Sequence, residues 1–467
     1  MNVLLIHPPS KYPISLPLPK IFTEVKKYPP LGLLYIASSL EQLSKFKIHI
    51  LDLNISFRPF KRLLLELSRF NPEIIGIQTY TYSLFDVQEL CRIIKEFNNR
   101  IHINLGGPHL NLYPQETLQL PFVDSITIGE GEHTFSDLIV RLSQNRDLSQ
   151  INGLSYKSNN QTYHNPSRIP LKDIDILPFP NRIYLKPWPY FSFLDDNVPF
   201  ATMIAGRGCP FKCIFCGVGG NIHRSRSPLN IIDEIQICLA SGFKYIEFMD
   251  DTFYLNSNDI IDLCKIIIDK KLQFKWAFRG RVDLIDANIL THVKAAGCIR
   301  IFFGVESGNA EILKFINKGV TLDQIFSTFS LCRKFGIQTI GYFMIGFPFE
   351  IKNQIEQTIS LAKKLNPNYA QFSILIPTPK TPLSDWLKLN GLFFNEHLIE
   401  YARRPRKNFS IHPSSTIFTE SQLKYFLLKA YRIFYFRLSF FLQLFKSIRS
   451  LSQFVIRIKA GWYTFRY

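Results

Sequence analysis

The sequence lacks any apolar run long enough to cross a membrane as a helix. No segment contains about twenty uninterrupted apolar residues, and even the phenylalanine-rich stretch from Phe434 to Phe445 is interrupted by Arg437. The first residues, Met1 to His7, carry neither the basic region nor the apolar segment of a signal peptide and instead resemble a β-strand. We therefore expect a cytoplasmic protein.

Acidic residues are scarce relative to basic ones. The chain has 55 Lys and Arg residues against 37 Asp and Glu residues, a net charge of +18, and its last segment, Ser421 to Tyr467, has nine basic residues and no acidic one. This balance favours an anionic partner. In that segment basic and aromatic residues alternate at helical spacing, which predicts either a helix lying on an anionic membrane or a cap packed on the preceding domain. Nucleic acid is not favoured as this partner, because no recognised RNA-binding module follows the second domain.

The composition is neither that of a disordered chain nor that of a disulfide-rich secreted one. Hydrophobic residues make up 46% of the 467 residues, which is enough to bury the cores of two major domains. Five of the eight cysteines stand alone in apolar surroundings, and we predict that they are buried thiols in a reducing compartment: Cys91, Cys238, Cys264, Cys298 and Cys332.

Short apolar strands alternate with helical stretches over residues 1–145, which predicts a doubly wound parallel sheet. The predicted strands are Asn2 to Ile6, Lys47 to Leu51, Glu73 to Thr79, Ile101 to Leu105 and Val123 to Ile128. Ligands of such sheets bind beyond the carboxyl ends of the strands. The candidate binding residues at those ends are Thr79, Gly106, Gly107, Gly129 and Glu130. A dinucleotide site is not indicated, since Gly-x-Gly-x-x-Gly does not follow the first strand.

Residues 146–199 contain Asn-Gly and many prolines, and predict a hairpin followed by an extended connector. A second series of six strands with intervening helices occupies residues 200–385 and predicts a partial (β/α)6 barrel of the TIM type. Its strands are Phe200 to Ala205, Tyr245 to Met249, Lys275 to Arg279, Arg300 to Val305, Thr339 to Ile345 and Tyr369 to Ile374. Residues 386–467 form a basic, helical C-terminal region.

Three cysteines directly follow the first strand of this second domain, in Cys209-Pro-Phe-Lys-Cys213-Ile-Phe-Cys216. Three thiolates this close together can hold three corners of a four-iron, four-sulfur cluster and leave the fourth iron open to a substrate. The alternative is a structural zinc with His223 as the fourth ligand, although zinc ribbons usually present two separated cysteine pairs.

This spacing, with the aromatic Phe215 before the last cysteine, resembles the signature of the radical S-adenosylmethionine (SAM) superfamily. The resemblance extends over about residues 200–383. It implies that the cluster reduces SAM and that a 5′-deoxyadenosyl radical then abstracts hydrogen from a substrate carbon, with an electron donor such as flavodoxin or ferredoxin.

The same resemblance implies a set of SAM-binding residues along the later strands. Asp250 or Asp251 replaces the usual glutamate that takes the methionine amino group, although an Asp pair can also cap a helix. Arg279 is the candidate for the methionine carboxylate. Glu306 and Ser307 lie in the segment that binds the ribose, and Gly346 lies in the segment that packs the adenine.

The first domain resembles that of the cobalamin-binding subclass, which includes C-methyltransferases and the anaerobic macrocycle cyclase. The matching motifs are Gly106-Gly107-Pro108-His109, Gly129-Glu130-Gly131-Glu132, Leu177-Pro178-Phe179-Pro180 and Arg224-Ser225-Arg226. The Asp-x-His-x-x-Gly fingerprint of cobalamin domains is absent, so a degenerate domain kept as a scaffold remains the alternative.

The sequence therefore predicts a cobalamin-dependent radical enzyme that methylates, oxidises or cyclises a small-molecule or lipid substrate. A methylthiotransferase acting on tRNA or protein is less favoured, because the first domain contains Cys91 alone and such enzymes carry cluster cysteines there. A non-catalytic metal-binding adaptor is the third reading.

Overall fold

Two seven-stranded sheets, one in each half of the chain, organise the protein. The computed structural model describes residues 1–12, 27–192, 198–392, 395–411 and 415–440. Within these ranges, none of the helices combines the length and the apolar character needed to span a bilayer.

The first sheet has the strand order β2-β1-β3-β4-β5-β6-β7, and its first five strands are parallel. The strands are β1 (Asn2–His7), β2 (Lys47–Asp52), β3 (Ile74–Gln78), β4 (His102–Gly106), β5 (Ser125–Thr127), β6 (Leu154–Ser158) and β7 (Gln161–His164). The helices are α1 (Leu31–Glu41), α2 (Pro59–Phe70), α3 (Leu84–Phe97), α4 (Pro108–Leu112), α5 (Pro114–Leu118) and α6 (Gly131–Ser143). This order reverses direction between β1 and β3, which is where doubly wound sheets bind ligands.

The predicted doubly wound sheet is therefore confirmed, but its boundary lies further along the chain than residue 145. The hairpin of β6 and β7 was expected to open the connector, whereas β6 pairs antiparallel with β5 and extends the first sheet. Short range sequence signals locate a hairpin well but do not show which sheet edge it will join.

The second sheet has the order β16-β15-β14-β13-β12-β9-β8, and its six strands from β9 to β16 in this row are parallel, as expected for a partial barrel. The strands are β8 (Phe191–Ser192), β9 (Val198–Met203), β12 (Tyr245–Phe248), β13 (Lys275–Gly280), β14 (Cys298–Glu306), β15 (Gln338–Ile345) and β16 (Tyr369–Ile374), and a separate pair comprises β10 (Gly206–Arg207) and β11 (Arg224–Ser225). The helices are α7 (Pro228–Ala240), α8 (Ser257–Asp269), α9 (Ala287–Ala295), α10 (Ala310–Phe315), α11 (Leu322–Lys334) and α12 (Lys352–Leu365).

One apolar core is shared between the two domains. It joins Leu5 and Leu34 of the first domain to Tyr190 of the connector and to Phe200 and Phe302 of the barrel strands. Burial of continuous apolar surface holds two domains in one arrangement far better than a polar linker can. The two halves of any site between the domains are therefore held in a fixed relation.

The C-terminal region divides between the two domains. Helices α13 (Pro382–Leu389) and α15 (Glu420–Tyr435) belong to the barrel, whereas α14 (Asn395–Arg403) packs on the first domain. Leu398 and Ala402 join the core of that domain, and the Tyr401 hydroxyl accepts the Phe85 amide at 3.2 Å. The chain thus returns to its first domain after completing the barrel.

Helix α15 covers the free edge of the barrel at β16. The hydroxyl of Tyr431 accepts the amide of Phe372 at 3.0 Å and donates to its carbonyl at 2.9 Å, and Tyr435 does the same for Ala370 at 3.2 and 2.8 Å. An exposed edge strand would otherwise present unpaired backbone groups to other chains. The helix is therefore part of the barrel.

Two basic residues in and just after this helix are used internally, whereas Lys424 and Arg432 are exposed. Lys429 pairs with Glu356 at 2.9 Å, and Arg437, which is 7% exposed, donates to the Pro367 carbonyl at 2.7 Å. The described part of the tail therefore packs on the barrel as a cap, and its contact with a membrane stays a prediction. Residues 441–467 lie outside the described residues.

We expect removal of both edge-covering hydroxyls, in the double variant Tyr431→Phe/Tyr435→Phe, to lower the melting temperature. The amide and carbonyl of Phe372 and of Ala370 would then lose their hydroxyl partners beneath an apolar helix surface. Leaving such buried backbone groups unpaired lowers the free energy of unfolding by about 1–3 kcal/mol. Thermal unfolding followed by circular dichroism measures the change. Tyr425→Phe is the matched control, because Tyr425 is 62% exposed on the same helix. Equal melting temperatures for the control and the double variant would show that the hydroxyls contribute nothing.

Candidate active site between the two domains

The three cysteines lie on one loop that is closed at its base. Strands β10 and β11 pair antiparallel at the two ends of the loop. Inside it, the Cys216 amide donates to the Cys213 carbonyl at 3.1 Å, and Cys209 forms a backbone bridge with Gly219. All three thiols are free. A loop closed in this way holds three sulfurs in one neighbourhood, which is what an iron–sulfur cluster needs.

Among the described residues, no group of three or more His, Cys, Asp or Glu side chains is placed to hold a single metal ion. A cubane cluster instead places each cysteine sulfur on a different iron. Burial raises the pKa of the Cys216 thiol, with the thiols of Cys209 and Cys213 acting in the same direction. Bound iron would reverse this, because a coordinated thiol is held as the thiolate.

His223, the fourth ligand in the zinc interpretation, is engaged elsewhere. Its Nε2 atom lies 3.2 Å from the carbonyl oxygen of Thr252, and its Nδ1 atom lies 3.2 Å from the hydroxyl of Ser225. Thr252 in turn brings its own hydroxyl within 3.3 Å of the Cys209 sulfur. The histidine therefore braces the loop, and a three-cysteine site fits better than a zinc site.

Phe215 packs under the cysteine loop against the end of β15. Its ring meets that of Phe347 at 6.5 Å between centroids, edge to face. The turn of Gly346 and Phe347 is held by Glu350, whose Oε2 atom accepts both amides, at 2.6 and 3.1 Å. Gly346 has φ +85°, and a β-carbon there would lie 3.2 Å from Leu423 of α15. The glycine is thus required by its backbone and by the covering helix, which the motif by itself does not reveal.

The two aspartates after β12 have different environments. Asp250 is 2% exposed, and its Oδ1 atom accepts the amides of Ala205 at 2.7 Å and Gly206 at 2.6 Å. Burial raises the pKa of this carboxyl to about 7. Asp251 is exposed and lines the cavity described below. Asp250 therefore fixes the chain just before the cysteine loop through Oδ1, while its Oδ2 atom is buried without a partner; both aspartates line the cavity, and contact of either with a ligand stays a prediction.

Arg279, at the end of β13, is anchored to β12. Its guanidinium donates to the Phe248 carbonyl at 2.8 Å and pairs with Glu247 at 3.2 Å. Glu247 also accepts the hydroxyl of Tyr28, from the first domain, at 3.1 Å. These contacts fix the guanidinium in position, while its contact with the methionine carboxylate stays a prediction.

Glu306 ends β14 with φ +67°, in the left-handed region that a residue with a side chain rarely adopts. Such a conformation is costly and is found mostly at functional sites. Its carboxylate pairs with the Lys318 ammonium at 2.9 Å. The neighbouring Ser307 is fully buried, and its hydroxyl lies 3.2 Å from that of Thr358. Of the two residues predicted at the ribose, Glu306 has a strained backbone and a carboxylate fixed by Lys318, whereas the Ser307 hydroxyl is buried.

A cavity of about 1230 Å³ lies between the cysteine loop and the carboxyl ends of the first sheet. Nine of its lining residues are glycines: Gly32, Gly76, Gly106, Gly107, Gly129, Gly131, Gly206, Gly208 and Gly220. From the barrel it is lined by Asn221 and Met249, among others, and from the connector by Ile169. A wall with so few side chains lets a large flat ligand approach the backbone closely.

Gly106 and Gly107, at the end of β4, have different roles. Gly107 has φ +120°, and a β-carbon there would lie 2.8 Å from the Thr79 carbonyl oxygen. At Gly106 the nearest atom to a β-carbon would be 4.0 Å away, in Thr127, and at Gly129 no atom lies within 4 Å. Gly107 is thus needed by the fold, and Gly129 needs a glycine for its φ of +82°, whereas Gly106 has neither constraint. Gly106 and Gly129 both leave open space at the cavity wall, which suits the flat corrin ring of cobalamin.

The side chain of Thr79, a predicted cofactor-binding residue, does not line the cavity. Its hydroxyl donates to the Ile77 carbonyl at 3.2 Å, and its side chain is fully buried. The cavity is instead lined by Gln78 and Tyr80, whose side chains are bonded to each other at 2.9 Å. Period-two alternation along the strand end places these two neighbours on the opposite side from Thr79.

An ion cluster joins the first domain to the base of the cysteine loop. Arg224 pairs with Glu130 at 2.6 Å, and Arg207 pairs with Glu130 at 3.2 Å and with Glu132 at 2.5 Å. Although burial opposes it, the guanidinium groups of Arg224 and Arg207 lower the pKa of Glu130. The Glu130 carboxylate, predicted to bind a cofactor, is therefore occupied by two arginines at the cavity wall.

Sequence reasoning does not single out Arg207, Glu247 or Lys318 as site residues. Isolated charged residues have no period or spacing that separates them from solvated surface residues. The only sequence signal for the ion cluster is the Arg224-Ser225-Arg226 motif. The partner of Arg224 is Glu130, which lies 94 residues earlier in the chain.

Comparison with known proteins agrees with this geometry. The chain matches the family model of the radical SAM superfamily over residues 203–362 and that of the B12 binding domain over residues 23–139. An uncharacterised methyltransferase of Pyrococcus horikoshii is 34% identical over 444 residues, which cover 94% of this chain and 93% of that protein. The chain belongs to the cobalamin-binding subclass of the radical SAM superfamily.

Two further relatives bear on the class. The anaerobic magnesium-protoporphyrin IX monomethyl ester cyclase of Rubrivivax gelatinosus is 26% identical, and the match covers 76% of this chain and 66% of the cyclase. The radical SAM methyltransferase TsrM of Kitasatospora setae, solved with cobalamin and a [4Fe-4S] cluster, has the same fold. Its TM-score is 0.67 at 18% identity, over 83% of this chain and 75% of that chain.

The protein is thus a radical SAM enzyme whose cofactors are a four-iron, four-sulfur cluster, SAM and cobalamin. The three free thiols of the closed loop suit the cluster, and the glycine-lined cavity suits the corrin.

We expect Glu130→Gln/Glu132→Gln to destabilise the joint between the domains. Arg207 and Arg224 would remain partly buried without carboxylate partners, at a cost of about 1–3 kcal/mol. Thermal unfolding and hydrogen exchange of the Arg224–Ser225 strand measure this loss. Asp137→Asn is the control, since it breaks the half-exposed pair with Arg168, for which the expected cost is below about 1 kcal/mol. Unchanged exchange in the double variant would contradict a structural role for the ion cluster.

We expect Gly106→Leu to abolish corrinoid binding and to leave the fold intact, because the new side chain would enter open space in the cavity. Gly107→Leu should instead lower the melting temperature, because its side chain would meet the Thr79 backbone. Corrinoid content by absorbance, iron content and melting temperature separate the two effects. Full corrinoid loading of the Gly106 variant would place the corrin elsewhere.

Proposed function

We propose that this enzyme transfers a methyl group to an unactivated carbon of a small-molecule substrate, with cobalamin as the methyl carrier. The single observation that carries the proposal is the cavity itself: its walls are the glycine-rich strand ends of the first domain on one side and the cysteine loop on the other. When bound, the reduced cluster supplies the electron that splits the carbon–sulfur bond of SAM, and the corrinoid carries a methyl group.

The barrel residues divide the recognition of SAM among them. We assign the methionine amino group to Asp251, since its carboxylate is exposed at the cavity wall, whereas Asp250 is 2% exposed and uses one oxygen to hold two backbone amides. Arg279 is assigned to the methionine carboxylate and Glu306 to the ribose hydroxyls, which a carboxylate can accept in pairs. Phe215 and the Gly346 turn form the wall expected at the adenine. Ser307, next to Glu306 in the ribose segment, is held by the hydroxyl of Thr358 on α12.

On the opposite wall, the backbone at Gly106 and Gly129 is assigned to the corrin ring. Gln78 and Tyr80 provide the polar groups of that wall, because their side chains line the cavity where Thr79 does not. Glu130 shapes the rim through Arg207 and Arg224. The shared apolar core keeps the two walls at a constant separation, which proximity between two reacting cofactors requires.

Oxidation or cyclisation of the substrate is the second candidate, supported by the similarity to the anaerobic cyclase. The methylthiotransferase interpretation is disfavoured, since Cys91 of the first domain is fully buried within α3. We further propose a cytoplasmic enzyme that receives its electron from a flavodoxin or ferredoxin. The free state of all eight cysteines supports a reducing compartment.

Product analysis after anaerobic reconstitution tests the proposal. We expect the wild-type protein to bind about four irons and four sulfides at the triplet, as one cubane cluster contains, and to bind one corrinoid. Extracts of a deletion strain, incubated with the reconstituted enzyme and SAM carrying a deuterated methyl group, should yield a metabolite that has gained that group. Mass spectrometry identifies it.

The triple variant Cys209→Ala/Cys213→Ala/Cys216→Ala should lose the cluster absorption and all SAM cleavage, because its only substitutions remove the three iron ligands. Cys91→Ala is the matched control and should retain both. A product with altered oxidation state and no added methyl would favour the oxidative function. Retention of the cluster in the triple variant would refute the site itself.

A further inference from the structure

Helix α2 presents apolar side chains to solvent on the face opposite its buried one. Its inner face buries Pro59, Leu63 and Leu67. On the outside, Leu64 is 43% and Leu65 is 55% exposed, and Phe57 just before the helix is 94% exposed. Successive residues of a helix lie about 100° apart, so Leu64 and Leu65 occupy neighbouring parts of the outer surface, and Phe57 precedes the helix. We call this outer surface, together with Phe57 and the basic residues described next, the α2 face.

Basic side chains surround these apolar ones. Arg58, Lys61, Arg62 and Arg69 are all exposed, and within the described residues none of them has a carboxylate partner. The acid of this helix, Glu66, pairs with His49 at 3.6 Å. By contrast, the arginines around the cavity, such as Arg207 and Arg224, are paired with acids. The α2 face thus combines unneutralised positive charge with interspersed apolar side chains.

Some of the other exposed apolar side chains, such as Ile169, Val218 and Ile222, line the cavity already described. Others, such as Leu389 at 87%, stand alone, and single exposed residues of this kind are normal in proteins. Only clusters of exposed apolar groups rimmed by polar ones indicate an interaction site. The three side chains of the α2 face fall within nine residues of sequence, from Phe57 to Leu65.

We propose that the α2 face docks on an anionic lipid surface. Phe57, Leu64 and Leu65 would enter the region between headgroups and acyl chains, and the four basic residues would lie at the anionic headgroups. This is how basic amphipathic helices bind at membrane interfaces. The charge favours an anionic occupant, since a second copy of this chain would bring the same positive charge against it. The proposal does not depend on the proposed reaction.

Flotation with vesicles tests the proposal on the full chain. Vesicles of phosphatidylcholine with phosphatidylglycerol should carry the wild-type protein at low salt, and vesicles of phosphatidylcholine alone should not. Phe57→Ser/Leu64→Ser/Leu65→Ser should reduce partitioning about tenfold, and Arg58→Glu/Lys61→Glu/Arg62→Glu should do the same, since both the apolar and the electrostatic contributions are needed. High salt should erase most of the binding.

Two matched controls isolate the α2 face. Leu389→Ser removes an equally exposed apolar side chain, and Lys270→Glu/Lys271→Glu/Lys275→Glu changes the net charge by the same amount at exposed positions. Both should bind vesicles almost as well as the wild type. Unchanged melting temperatures show that the variants are folded.

Three results would overturn the proposal. The first is failure of the wild type to bind anionic vesicles. The second is binding by both α2 variants at the wild-type level, which would assign the contact to another segment. The third is self-association that the serine variant abolishes, which would make a second copy of the chain the occupant.

Discussion

The ion cluster of Arg207, Arg224, Glu130 and Glu132 is the interaction on which the arrangement of the site depends. Arg207 and Arg224 stand opposite each other in the pairing that closes the cysteine loop, and both carboxylates come from the rim of the first sheet. The loop that carries the thiols is therefore fixed to the wall that faces it. Pairs like these cost desolvation and are strongly destabilising to break, so their value lies more in fixing one geometry than in net stability.

A second buried charge network continues this joint into the connector. Glu234 of α7 is fully buried and accepts Arg226, two residues after Arg224, and Arg182 of the connector, each at 2.6 Å. Arg182 also donates to the Thr202 carbonyl at 2.7 Å, and the Arg226 guanidinium lies over the Phe179 ring. The proline-rich connector is thus bound to the barrel through both backbone and side-chain contacts. These contacts explain structurally why the connector and the Arg224-Ser225-Arg226 segment carry motifs of the subclass.

The remainder of the chain supports this centre from outside. Helix α14 returns to the first domain, and α15 supplies tyrosine hydroxyls to β16 and Leu423 to the space that Gly346 leaves open. Of the basic residues at the C-terminus that the structure describes, Lys429 and Arg437 are used in this packing, whereas Arg432 is exposed. Four exposed basic residues without a carboxylate partner among the described residues lie together on and beside α2.

The sequence by itself determined the parallel strands of both sheets, the cysteine loop and the glycine-rich strand ends, because period, spacing and turn residues are local properties of a chain. It did not determine which sheet the hairpin joins, which aspartate of the pair holds the backbone before the cysteine loop, why Gly346 is required, or where the Glu130 carboxylate goes. Those depend on partners far away: Ala205 for Asp250, Leu423 for Gly346 and Arg224 for Glu130. Tertiary structure decided them, since contacts between residues distant in sequence leave no periodic pattern in either segment.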